Sequence, residues 1–520
     1  MRSNTRVSLA FLLEGRVEDP VPDLWVGGLE SDSRKVQPGD LFIALQGQQV
    51  HGLAYFDDVL SAGAIGVLYE PEGAPLAALE GRLQSCFVLP VPGLSKALGP
   101  LASRFYGDPS SRLCALAVTG TNGKTSCTHY LAEALGVGSG AAVIGTLGWG
   151  VPGQLCPTRH TTPDPIELQS VLSHLVDSGC SWVAMEASSH GLAQSRLSGV
   201  RFKGALFTNF TRDHLDYHGT MEAYLESKMS LVDWPSLAFV VFHAEHAFAG
   251  PIHSRAAPSV RRLAYCREGF SVAQEVAVLR YGRVRTRVGG LSFDVHYEGK
   301  THEVSVPLFG DFNVDNVVGV LGVLICLGFD LASAVARLSE VRGVPGRMEA
   351  IPCGERQVIV DYAHTPDALA SVLAALRQHV EGALWVVFGC GGNRDRGKRP
   401  EMGAIAARLA DEVVVTDDNP RDEDGDAIVA EILAGMDATK ARIIRNRRAA
   451  IVHALSAMKP TDLLVVAGKG HETTQEMAGV RYPFQDRQVI EESCGQLFGS
   501  TVRPKALAGS TDFIRGSSCF

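Results

Sequence analysis

Residues 113–125 place the strongest constraint on the fold of this chain. They consist of an apolar run, a loop of small residues, and then Lys124 and Thr125 ahead of a helical pattern. This order predicts a buried strand, a tight loop and a helix that begins near Thr125. Backbone N–H groups of such a loop converge at the positive end of the helix dipole, so the stretch predicts a phosphate-binding loop.

Two side chains at the end of this loop are of the types that bind nucleotides. Lys124 is expected to bridge the outer phosphates, and the hydroxyl of Thr125 is expected to bind Mg²⁺. The general pattern of such loops has a glycine where this chain has Val118, so the match is imperfect. A glycine-rich turn without a ligand is the alternative.

Length and composition indicate a globular protein of several domains. At 520 residues the chain is too long for a single core, and about 150 residues per domain predicts three domains. The net charge of −9 argues against a nonspecific nucleic-acid or anionic-membrane surface. The longest apolar stretch, residues 317–329, is too short to span a bilayer, so no stable membrane insertion is expected.

The 11 cysteines are scattered, with no C-x-x-C pair and no Cys/His spacing typical of zinc sites. The N-terminal apolar patch is short and broken by Glu14, which is a weak match to a signal peptide. We therefore expect reduced thiols and a cytoplasmic protein.

After the phosphate loop, apolar strands alternate with helical stretches. These strands are expected at residues 141–144, 182–185, 205–207 and 237–242. The alternation predicts a mostly parallel sheet. A period of two from about residue 284 to 308 predicts an antiparallel meander that follows it.

Polar residues cluster where these strands end. Glu186 ends one strand and His214 follows another, and in an open α/β sheet such positions face the ligand crevice. Both are therefore candidate metal ligands beside Thr125. His214 and His218 also have a spacing that would suit zinc on a helix, but no third ligand is suitably spaced. Lys228 lies in a probable helix, where a lysine is most often a solvated surface charge.

The C-terminal part of the chain repeats one pattern four times. Buried strands at 358–361, 384–389, 413–416 and 463–467 are each followed by a polar loop. In a doubly wound sheet these loops meet at one edge. The sequence therefore predicts a binding surface there.

The phosphate loop and these polar loops together resemble the Mur ligases, ATP-dependent enzymes that add amino acids to bacterial cell-wall precursors. The family's loop Thr-Gly-Thr-Asn-Gly-Lys-Thr is present as residues 119–125, which accounts for the imperfect general pattern. Further shared motifs lie along nearly the whole chain, at 32–34, 161–163, 188–191, 214–218, 346–349, 361–366, 418–421 and 468–472. Within the family, the resemblance is closest to the members that add the third amino acid to UDP-N-acetylmuramoyl-L-alanyl-D-glutamate.

The resemblance implies an α/β protein of three domains. A small N-terminal α/β domain for the uridine nucleotide is expected over residues 1–108. A central P-loop ATPase, with the mostly parallel sheet and the antiparallel meander, is expected over 109–344. A C-terminal Rossmann-like doubly wound domain for the incoming amino acid is expected over 345–500, followed by a tail at 501–520.

The resemblance also implies ATP, Mg²⁺ and a CO₂-derived carbamate on Lys228. The expected ATP contacts are Gly120, Thr121, Asn122, Gly123, Lys124, Thr125, Ser126, Asn316, Arg347 and Asp361. The expected metal ligands are Thr125, Glu186, His214 and carbamylated Lys228. The expected catalytic residues are Lys124, Glu186, His214 and Lys228.

Two substrate sites follow from the same resemblance. The expected contacts to the UDP-muramoyl dipeptide are Ser33, Gly47, Gln48, Gln49, Thr161, Thr162, Ser189, Gln194 and Arg196. The expected contacts to diaminopimelate are Arg394, Asp418, Asn419, Pro420, Arg421, Gly468 and Glu472.

The implied reaction is an ADP-forming ligation through an acyl phosphate, in peptidoglycan precursor synthesis. Arg421 offers a donor fork suited to the distal carboxylate of meso-diaminopimelate, which lysine lacks. Burial of an unpaired Arg421 would disfavour lysine. The expected partners are these small molecules, with no nucleic acid, and the protein is expected to be a monomer. A lysine-adding ligase, a folate-polyglutamylating ligase and an inactive scaffold of cell-wall synthesis remain the alternatives.

Overall fold

The computed structural model describes residues 6–17, 21–47, 50–76, 86–272, 276–287 and 289–499. These residues form two compact units, one that ends at Leu263 and one that begins at Ala264. Within the part described, no helix has both the length and the apolar character needed to cross a bilayer.

The first unit opens with a small α/β layer. Its elements are β1 (Val7–Ser8), α1 (Leu9–Leu13), β2 (Trp25–Val26), β3 (Gly28–Glu30), β4 (Asp40–Ala44), α2 (Phe56–Ser61), β5 (Gly66–Tyr69), β6 (Phe87–Pro90) and α3 (Leu94–Phe105). Strands β3, β4, β5 and β6 form a parallel sheet in that order. β4 is buried throughout, and α3 covers one face of the sheet with Leu94, Leu98 and Leu101. The small α/β layer expected from the sequence is thus present.

The rest of the first unit is a larger α/β layer around the phosphate loop. Its elements are β7 (Cys114–Thr119), α4 (Lys124–Gly136), β8 (Gly140–Gly145), β9 (Gly148–Val151), β10 (Gln154–Cys156), α5 (Pro165–Asp177), β11 (Cys180–Glu186), α6 (Ser189–Ala193), β12 (Phe202–Phe207), α7 (Leu215–His218), α8 (Met221–Met229), β13 (Phe239–His243) and α9 (Ala249–Arg255). Strands β8, β11, β7, β12 and β13 are parallel neighbours in that order. This confirms the predicted parallel sheet, to which β9 and β10 add an antiparallel edge.

The strand order places the phosphate loop at a point of reversal. β7 lies between β11 and β12, so the chain leaves β7 toward one side of the sheet and later returns to the other side. In open α/β sheets, the carboxyl ends of strands at such a reversal form the ligand crevice. Glu186 ends β11, and Thr208 follows β12, so both side chains are delivered next to the loop that follows β7.

β14 (Arg261–Arg267) spans the boundary between the units. The second unit continues with β15 (Ala277–Arg287), β16 (Gly290–Tyr297), β17 (Lys300–Val306), α10 (Phe312–Cys326) and α11 (Leu331–Leu338). β15, β16 and β17 pair antiparallel in sequence order, which confirms the predicted meander.

A doubly wound layer completes the second unit. Its elements are β18 (Glu349–Cys353), β19 (Arg356–Asp361), α12 (Pro366–Arg377), β20 (Leu384–Phe388), α13 (Lys398–Leu409), β21 (Glu412–Val415), α14 (Gly425–Leu433), β22 (Ala441–Ile443), α15 (Arg447–Ala457), β23 (Leu463–Ala467), β24 (Thr474–Met477), β25 (Val480–Pro483) and α16 (Asp486–Phe498). Strands β19, β23, β20, β21 and β22 are parallel in that order, with β18 antiparallel at the edge. Apolar clusters cover both faces of this sheet, which explains why its strands read as continuous hydrophobic runs. The four predicted polar loops follow β19, β20, β21 and β23.

The structure corrects the expectation that all cysteines are reduced. Cys353 at the end of β18 is bonded to Cys494 on α16, with their Cα atoms 5.3 Å apart and 141 residues apart in sequence. Two cysteines so distant in sequence leave no local pattern, so the pairing follows only from the packing of α16 against the edge of the sheet.

Candidate active site

The loop after β7 has a backbone conformation that depends on glycine. Gly120 has φ +148°, and a Cβ there would lie 2.0 Å from Oγ1 of Thr208. Gly123 has φ +84° and directly precedes the first residue of α4, Lys124. The loop therefore turns tightly from a buried strand into a helix N-terminus, with Thr125 and Ser126 in the first turn, which is the arrangement that binds phosphate.

The chain after β12 holds this loop in place. The backbone N–H of Thr121 donates to the carbonyl of Asn209 at 3.0 Å, and that of Asn122 donates to Oδ1 of Asn209 at 2.8 Å. Oγ1 of Thr208 donates to the carbonyl of Asn122 at 2.6 Å. Thr208 and Asn209 therefore support the loop, although no sequence pattern singled them out.

Lys124 folds back over the loop that precedes it. Its Nζ donates to the carbonyls of Gly120 and Thr121 at 3.0 and 2.8 Å. The ammonium group is therefore already at the concave side of the loop, where phosphate oxygens could replace the carbonyls as acceptors.

Glu186 and Thr125 meet as the sequence predicted. Oγ1 of Thr125 donates to Oε1 of Glu186 at 3.0 Å, and the same carboxylate accepts from the N–H and hydroxyl of Thr146 at 2.8 and 3.2 Å. Glu186 is buried, and burial raises the pKa of its carboxyl group, against the opposing effect of Lys124. A Cβ on Gly145 would lie 2.2 Å from Oε1, so glycine at this position makes room for the carboxylate.

Lys228 is not the solvated surface charge that its sequence context favoured. It lies on α8 with 1% of its surface exposed, its Nζ donates to the carbonyl of Gly120 at 2.9 Å, and it lies 4.6 Å from the centre of the Tyr224 ring. Burial, and then the charge of Lys124, hold its pKa well below that of an ordinary lysine. The helical position was foreseen, but burial depends on tertiary packing, which a single lysine in a polar helix does not reveal.

His214 lies near the Tyr224 ring, which Lys228 also contacts. It has φ +53° and directly precedes α7. Its ring centre is 4.9 Å from that of His190 and 6.0 Å from that of Tyr224, and its Nε2 is 3.4 Å from a carboxylate oxygen of Asp213. His214 is therefore near Lys228 through Tyr224, while its role as a metal ligand stays a prediction.

The oxygen atoms beside the phosphate loop are of the kind that Mg²⁺ binds. Thr125 and Glu186 supply hydroxyl and carboxylate oxygens, which Mg²⁺ prefers, and it commonly binds one or two carboxylates together with phosphates and water. Among the described residues no cluster of three or more His, Cys, Asp or Glu side chains is arranged to hold a metal by itself. The residues present therefore fit Mg²⁺ bound with a nucleotide, and not the zinc pair considered for His214 and His218.

Hydrogen bonds link four of the predicted contacts to the muramoyl dipeptide, Thr161, Thr162, Gln194 and Arg196, into a group next to Glu186 that includes Thr146. The hydroxyls of Thr146 and Thr161 are 3.0 Å apart, and Thr162 donates to the carbonyl of Glu186 at 2.9 Å. Arg196 donates to the carbonyl of Thr162 at 2.9 Å and to Oε1 of Gln194. The hydroxyl of Ser189 is buried with no hydrogen-bond partner among the described residues. Thr146, which joins this group to Glu186, is a residue that sequence reasoning missed.

The predicted uridine contacts lie in the small N-terminal layer. Ser33 begins a short 3₁₀ turn whose preceding residue, Asp32, accepts from the N–H of Arg34. Gly47 donates its N–H to the carbonyl of Val50 at 3.1 Å. Gln48 and Gln49 lie outside the described residues, so their predicted role stays untested.

Three further nucleotide contacts were predicted in the second unit. Asn316 is buried on α10 and donates to Oδ1 of Asn313 at 3.0 Å. Asp361, at the end of β19, accepts from the N–H groups of Met348 and Ala363 at 2.7 and 2.8 Å. Burial raises the pKa of Asp361, with Arg347 acting in the opposite direction.

Arg347 is placed by aromatic contacts. Its guanidinium lies 4.9 Å from the centre of the Tyr362 ring, and the rings of His364 and His471 lie 4.5 and 5.2 Å from that ring. Arg347 is close enough to Asp361 to oppose the rise in its pKa, while the predicted role of both residues as nucleotide contacts stays a prediction.

The predicted amino-acid site forms where the loops after β20, β21 and β23 meet. Nη1 of Arg421 donates to the carbonyl of Gly392 at 2.6 Å. A Cβ on Gly391 would lie 3.0 Å from Nη1 of Arg421 and 3.7 Å from Cγ of Arg394, so the two arginines flank this glycine. Two guanidinium groups therefore lie close together at this sheet edge, with Glu476 3.9 Å from Nε of Arg421.

A buried polar network lies next to the arginines. Lys469 is fully buried, and its Nζ donates to Oδ1 of Asn419 at 3.0 Å and to Oε2 of Glu472 at 2.7 Å. Asp418 is buried, and a Cβ on Gly468 would lie 2.5 Å from its Oδ2, which has no hydrogen-bond partner among the described residues. Lys469 was not predicted as a site residue, although it stands in the quoted Gly-Lys-Gly-His-Glu motif.

Family models match most of this chain. The Mur ligase family, catalytic domain matches residues 26–106, the Mur ligase middle domain matches 118–324, and the Mur ligase, glutamate ligase domain matches 346–470. The domain boundaries predicted from the sequence stay a prediction.

Curated relatives and a solved structure share nearly the full length. The UDP-N-acetylmuramoyl-L-alanyl-D-glutamate–2,6-diaminopimelate ligase of Alkalilimnicola ehrlichii is 45% identical over 91% of this chain and 96% of its own. The protein of that name from Pseudomonas aeruginosa is 43% identical over 91% and 95%. A solved structure of a UDP-N-acetylmuramoyl-L-alanyl-D-glutamate–2,6-diaminopimelate ligase is 35% identical, with a TM-score of 0.72 over 95% of this chain and 99% of its own.

The phosphate loop, the buried carboxylate beside it and the arginine-lined sheet edge thus occur together in a chain that matches family models and relatives along nearly its whole length. This chain belongs to the Mur ligase family.

Proposed function

We propose that the protein uses ATP to join meso-2,6-diaminopimelate to UDP-N-acetylmuramoyl-L-alanyl-D-glutamate, with release of ADP and phosphate, in peptidoglycan precursor synthesis. The observation that carries this proposal is the chain of contacts from Thr125 through Glu186 and Thr146 to Thr161. It joins the phosphate loop to the residues assigned to the muramoyl dipeptide. A phosphate and an acceptor carboxylate bound at these two ends would be close enough to react.

The phosphate loop would bind the β- and γ-phosphates of ATP. Its N–H groups and the N-terminus of α4 supply fixed partial positive charge, and Lys124 supplies a full charge. Asn316, Arg347 and Asp361 are assigned to the rest of the nucleotide by the family resemblance.

Thr125, Glu186 and His214 would hold Mg²⁺. When bound, this ion neutralises charge on the phosphates as the phosphoryl group transfers. Glu186 is already held in place by three hydrogen bonds, from Thr125 and Thr146, so little reordering of the carboxylate is required.

Lys228 would carry a carbamate. A buried amine of lowered pKa is neutral to a larger extent than an ordinary lysine, and only the neutral amine can attack CO₂. The N–C bond forms as the amine loses a proton, and the product is an anionic oxygen donor in place of a cation. This conversion would remove the repulsion between Lys228 and Lys124, which share an acceptor at Gly120.

The reaction would have two steps, phosphorylation of the acceptor carboxylate and attack by the amine of the incoming amino acid. The D-glutamyl side-chain carboxylate attacks the γ-phosphate, a P–O bond forms to give an acyl phosphate, and ADP leaves. Lys124 and the helix N-terminus offset the repulsion between the two anions. The amine of the incoming amino acid attacks the acyl carbon, and phosphate leaves from the tetrahedral intermediate. The group formed by Thr161, Thr162, Ser189, Gln194 and Arg196 would orient the carboxylate.

The sheet edge at Arg421 would select the amino acid. Arg421 and Arg394 offer planar donor forks to a carboxylate at the far end of the substrate. Diaminopimelate carries that carboxylate and lysine does not, so lysine would leave Arg421 with its longer, 3.9 Å contact to Glu476 in place of a carboxylate on its donor fork. Gly468 and Glu472 would receive the distal ammonium group, and Asp418, Asn419 and Pro420 would be further contacts to diaminopimelate.

The protein would act in the cytoplasm, as a monomer. The rival functions are a lysine-adding ligase, a folylpolyglutamate-type ligase and an inactive scaffold. Phosphate release with diaminopimelate, lysine and glutamate, each with its acceptor, separates them. The proposal expects release only with diaminopimelate and the UDP-muramoyl dipeptide. Phosphate release with lysine or with glutamate would instead indicate the lysine-adding or the folylpolyglutamate-type ligase. The absence of phosphate release with all three amino acids would support the inactive scaffold.

A further inference from the structure

Arg399 is a fully buried arginine that the proposed reaction does not use directly. It lies in the first turn of α13 with none of its side-chain surface exposed. Its Nη1 donates to Oε2 of Glu423 and Oε2 of Glu431 at 2.9 and 2.7 Å, and its Nη2 donates to Oε1 of Glu423 at 3.0 Å. Nη2 also donates to the carbonyl of Gly391 at 3.2 Å. Burial of a cation with two carboxylate partners carries a desolvation penalty that their mutual attraction often does not exceed. Stability alone therefore does not account for this group of charges.

Glu423 extends these contacts to a second loop residue. Its Oε1 accepts the backbone N–H of Asn393, and its own N–H donates to the carbonyl of Pro420 at 3.1 Å. Arg399 and Glu423 together therefore fix the loop of residues 391–393 against the loop that carries Pro420 and Arg421.

The loop of residues 391–393 in turn sets the position of Arg421. The carbonyl of Gly392 accepts from Nη1 of Arg421 at 2.6 Å, and the N–H of Gly392 donates to the carbonyl of Asn419 at 2.9 Å. A Cβ on Gly392 would lie 1.8 Å from the carbonyl oxygen of Pro420, so the two backbones are in close contact. Arg421 itself has φ +53°, an unfavourable conformation for a residue other than glycine, which the surrounding contacts must maintain.

We propose that Arg399 and Glu423 are positioning residues that hold the Arg421 guanidinium in register for a carboxylate-bearing amino acid. This inference rests on the proposed function. Neither residue needs to touch the substrate, because both act through residues 391–393. A misplacement of about 1 Å in a group that recognises substrate can cost as much as two orders of magnitude in rate. We call the contacts of Arg399 and Glu423 with residues 391–393 the Arg399–Glu423 clamp. Its loss would therefore weaken discrimination between diaminopimelate and lysine.

A purely structural ion pair would behave differently, and the chain offers a matched control. Glu431 on α14 is the other carboxylate partner of Arg399, and it also accepts from Arg396, but its hydrogen bonds run to these arginines rather than to residues 391–393. Glu423→Gln and Glu431→Gln each remove one negative charge from Arg399. Only the first changes the acceptor of the Asn393 N–H, from a charged carboxylate oxygen to a neutral and weaker amide oxygen.

The test measures kcat and KM for diaminopimelate and for lysine in the full-length protein, together with Tm. We expect Glu423→Gln to raise KM for diaminopimelate about tenfold and to lower the ratio of kcat/KM values, diaminopimelate over lysine, by about tenfold, the size of one charge-assisted hydrogen bond. Glu431→Gln is expected to keep KM for diaminopimelate and the ratio of kcat/KM values within about twofold of the wild type. Both glutamine variants are expected to lower Tm by similar amounts. Arg399→Lys, which keeps the charge but loses the fork, should lower the ratio as Glu423→Gln does.

Equal changes of the ratio in both glutamine variants, or an unchanged ratio in Glu423→Gln, would overturn the inference. If Glu423→Gln does not fold, Glu423→Asp, which keeps the charge and shortens the side chain, is measured in its place against the same criteria. A wild-type protein that does not use diaminopimelate would defeat the proposed function instead, so the two failures are distinguishable.

Discussion

The ammonium groups of Lys124 and Lys228 donate to the same acceptor, the carbonyl oxygen of Gly120, at 3.0 and 2.9 Å. Two like charges at one oxygen are unfavourable unless an anion joins them or one of them loses its charge. Lys124 is suited to the first solution because it lies beside a loop that can bind phosphate. Lys228 is suited to the second because burial already disfavours its charged form. An anion bound beside Lys124, or loss of the charge of Lys228, would therefore relieve the repulsion between the two ammonium groups.

Lys124→Ala should abolish ligation. It removes the only charge that the loop itself contributes to the phosphates, so we expect phosphate release to fall by about 10³-fold or more. Lys203→Ala is the matched control, since Lys203 is an exposed lysine on β12 of the same sheet and should leave the rate unchanged. Retained activity in Lys124→Ala with an intact circular dichroism spectrum would contradict the assigned role.

Lys228→Met should abolish ligation and yet stabilise the fold. The folded-state pKa of Lys228 lies below the usual 10.5, so the unfolded chain binds the proton more tightly and burial of the charge destabilises the folded state at pH 7. This penalty fades as the pH rises toward the unfolded pKa. In CO₂-free buffer we therefore expect the Tm of Lys228→Met to exceed that of the wild type at pH 7, by a margin that shrinks at about pH 10.

The carbamate itself is observable without turnover. In buffer that contains ¹³C-bicarbonate, the wild type should show a carbamate ¹³C resonance that is missing in Lys228→Met. A wild-type resonance that persists in the variant would assign the carbamate elsewhere, and no resonance at all would remove it from the account.

Arg421→Ala should raise KM for diaminopimelate far more than it lowers kcat. The lost group is proposed to contact the end of the substrate remote from the reacting amine, so the expected loss is mainly in binding. Arg481→Ala is a suitable control, because Arg481 is 74% exposed on the neighbouring hairpin and pairs with Glu476 as Arg421 does. Unchanged diaminopimelate kinetics in Arg421→Ala would place the specificity elsewhere.

The bond between Cys353 and Cys494 should make stability depend on reductant. A cross-link that closes a loop across 141 residues typically contributes about 2–4 kcal/mol, so we expect dithiothreitol to lower Tm by about 5–15 °C. The double variant Cys353→Ala/Cys494→Ala should melt at the reduced temperature with or without dithiothreitol. If the Tm of the wild type is the same with and without dithiothreitol, the disulfide does not form in solution.

Local features were predictable from the sequence. The order of strand, glycine loop and helix at residues 113–125 depends only on neighbours in the chain, and α4 begins at Lys124, one residue before the predicted start. Glu186 was found because it terminates a strand, and strand ends share an edge in a parallel sheet.

Features that depend on tertiary contacts were not predictable in this way. The burial of Lys228, the link from Thr146 to Thr161 and the Arg399–Glu423 clamp all join residues from different elements. The antiparallel edge strands β9, β10 and β18 are short and carry weak patterns. The assigned site residues stay predictions until variants are measured.

The central claim is that the phosphate loop activates the D-glutamyl side-chain carboxylate by phosphorylation. It is tested most directly with UDP-N-acetylmuramoyl-L-alanyl-D-glutamate labelled with ¹⁸O in that carboxylate, ATP, magnesium and diaminopimelate. The account predicts one ¹⁸O atom in each phosphate released, since the bond that breaks in the second step lies between the acyl carbon and the labelled oxygen. Unlabelled phosphate released alongside ligated product would contradict it.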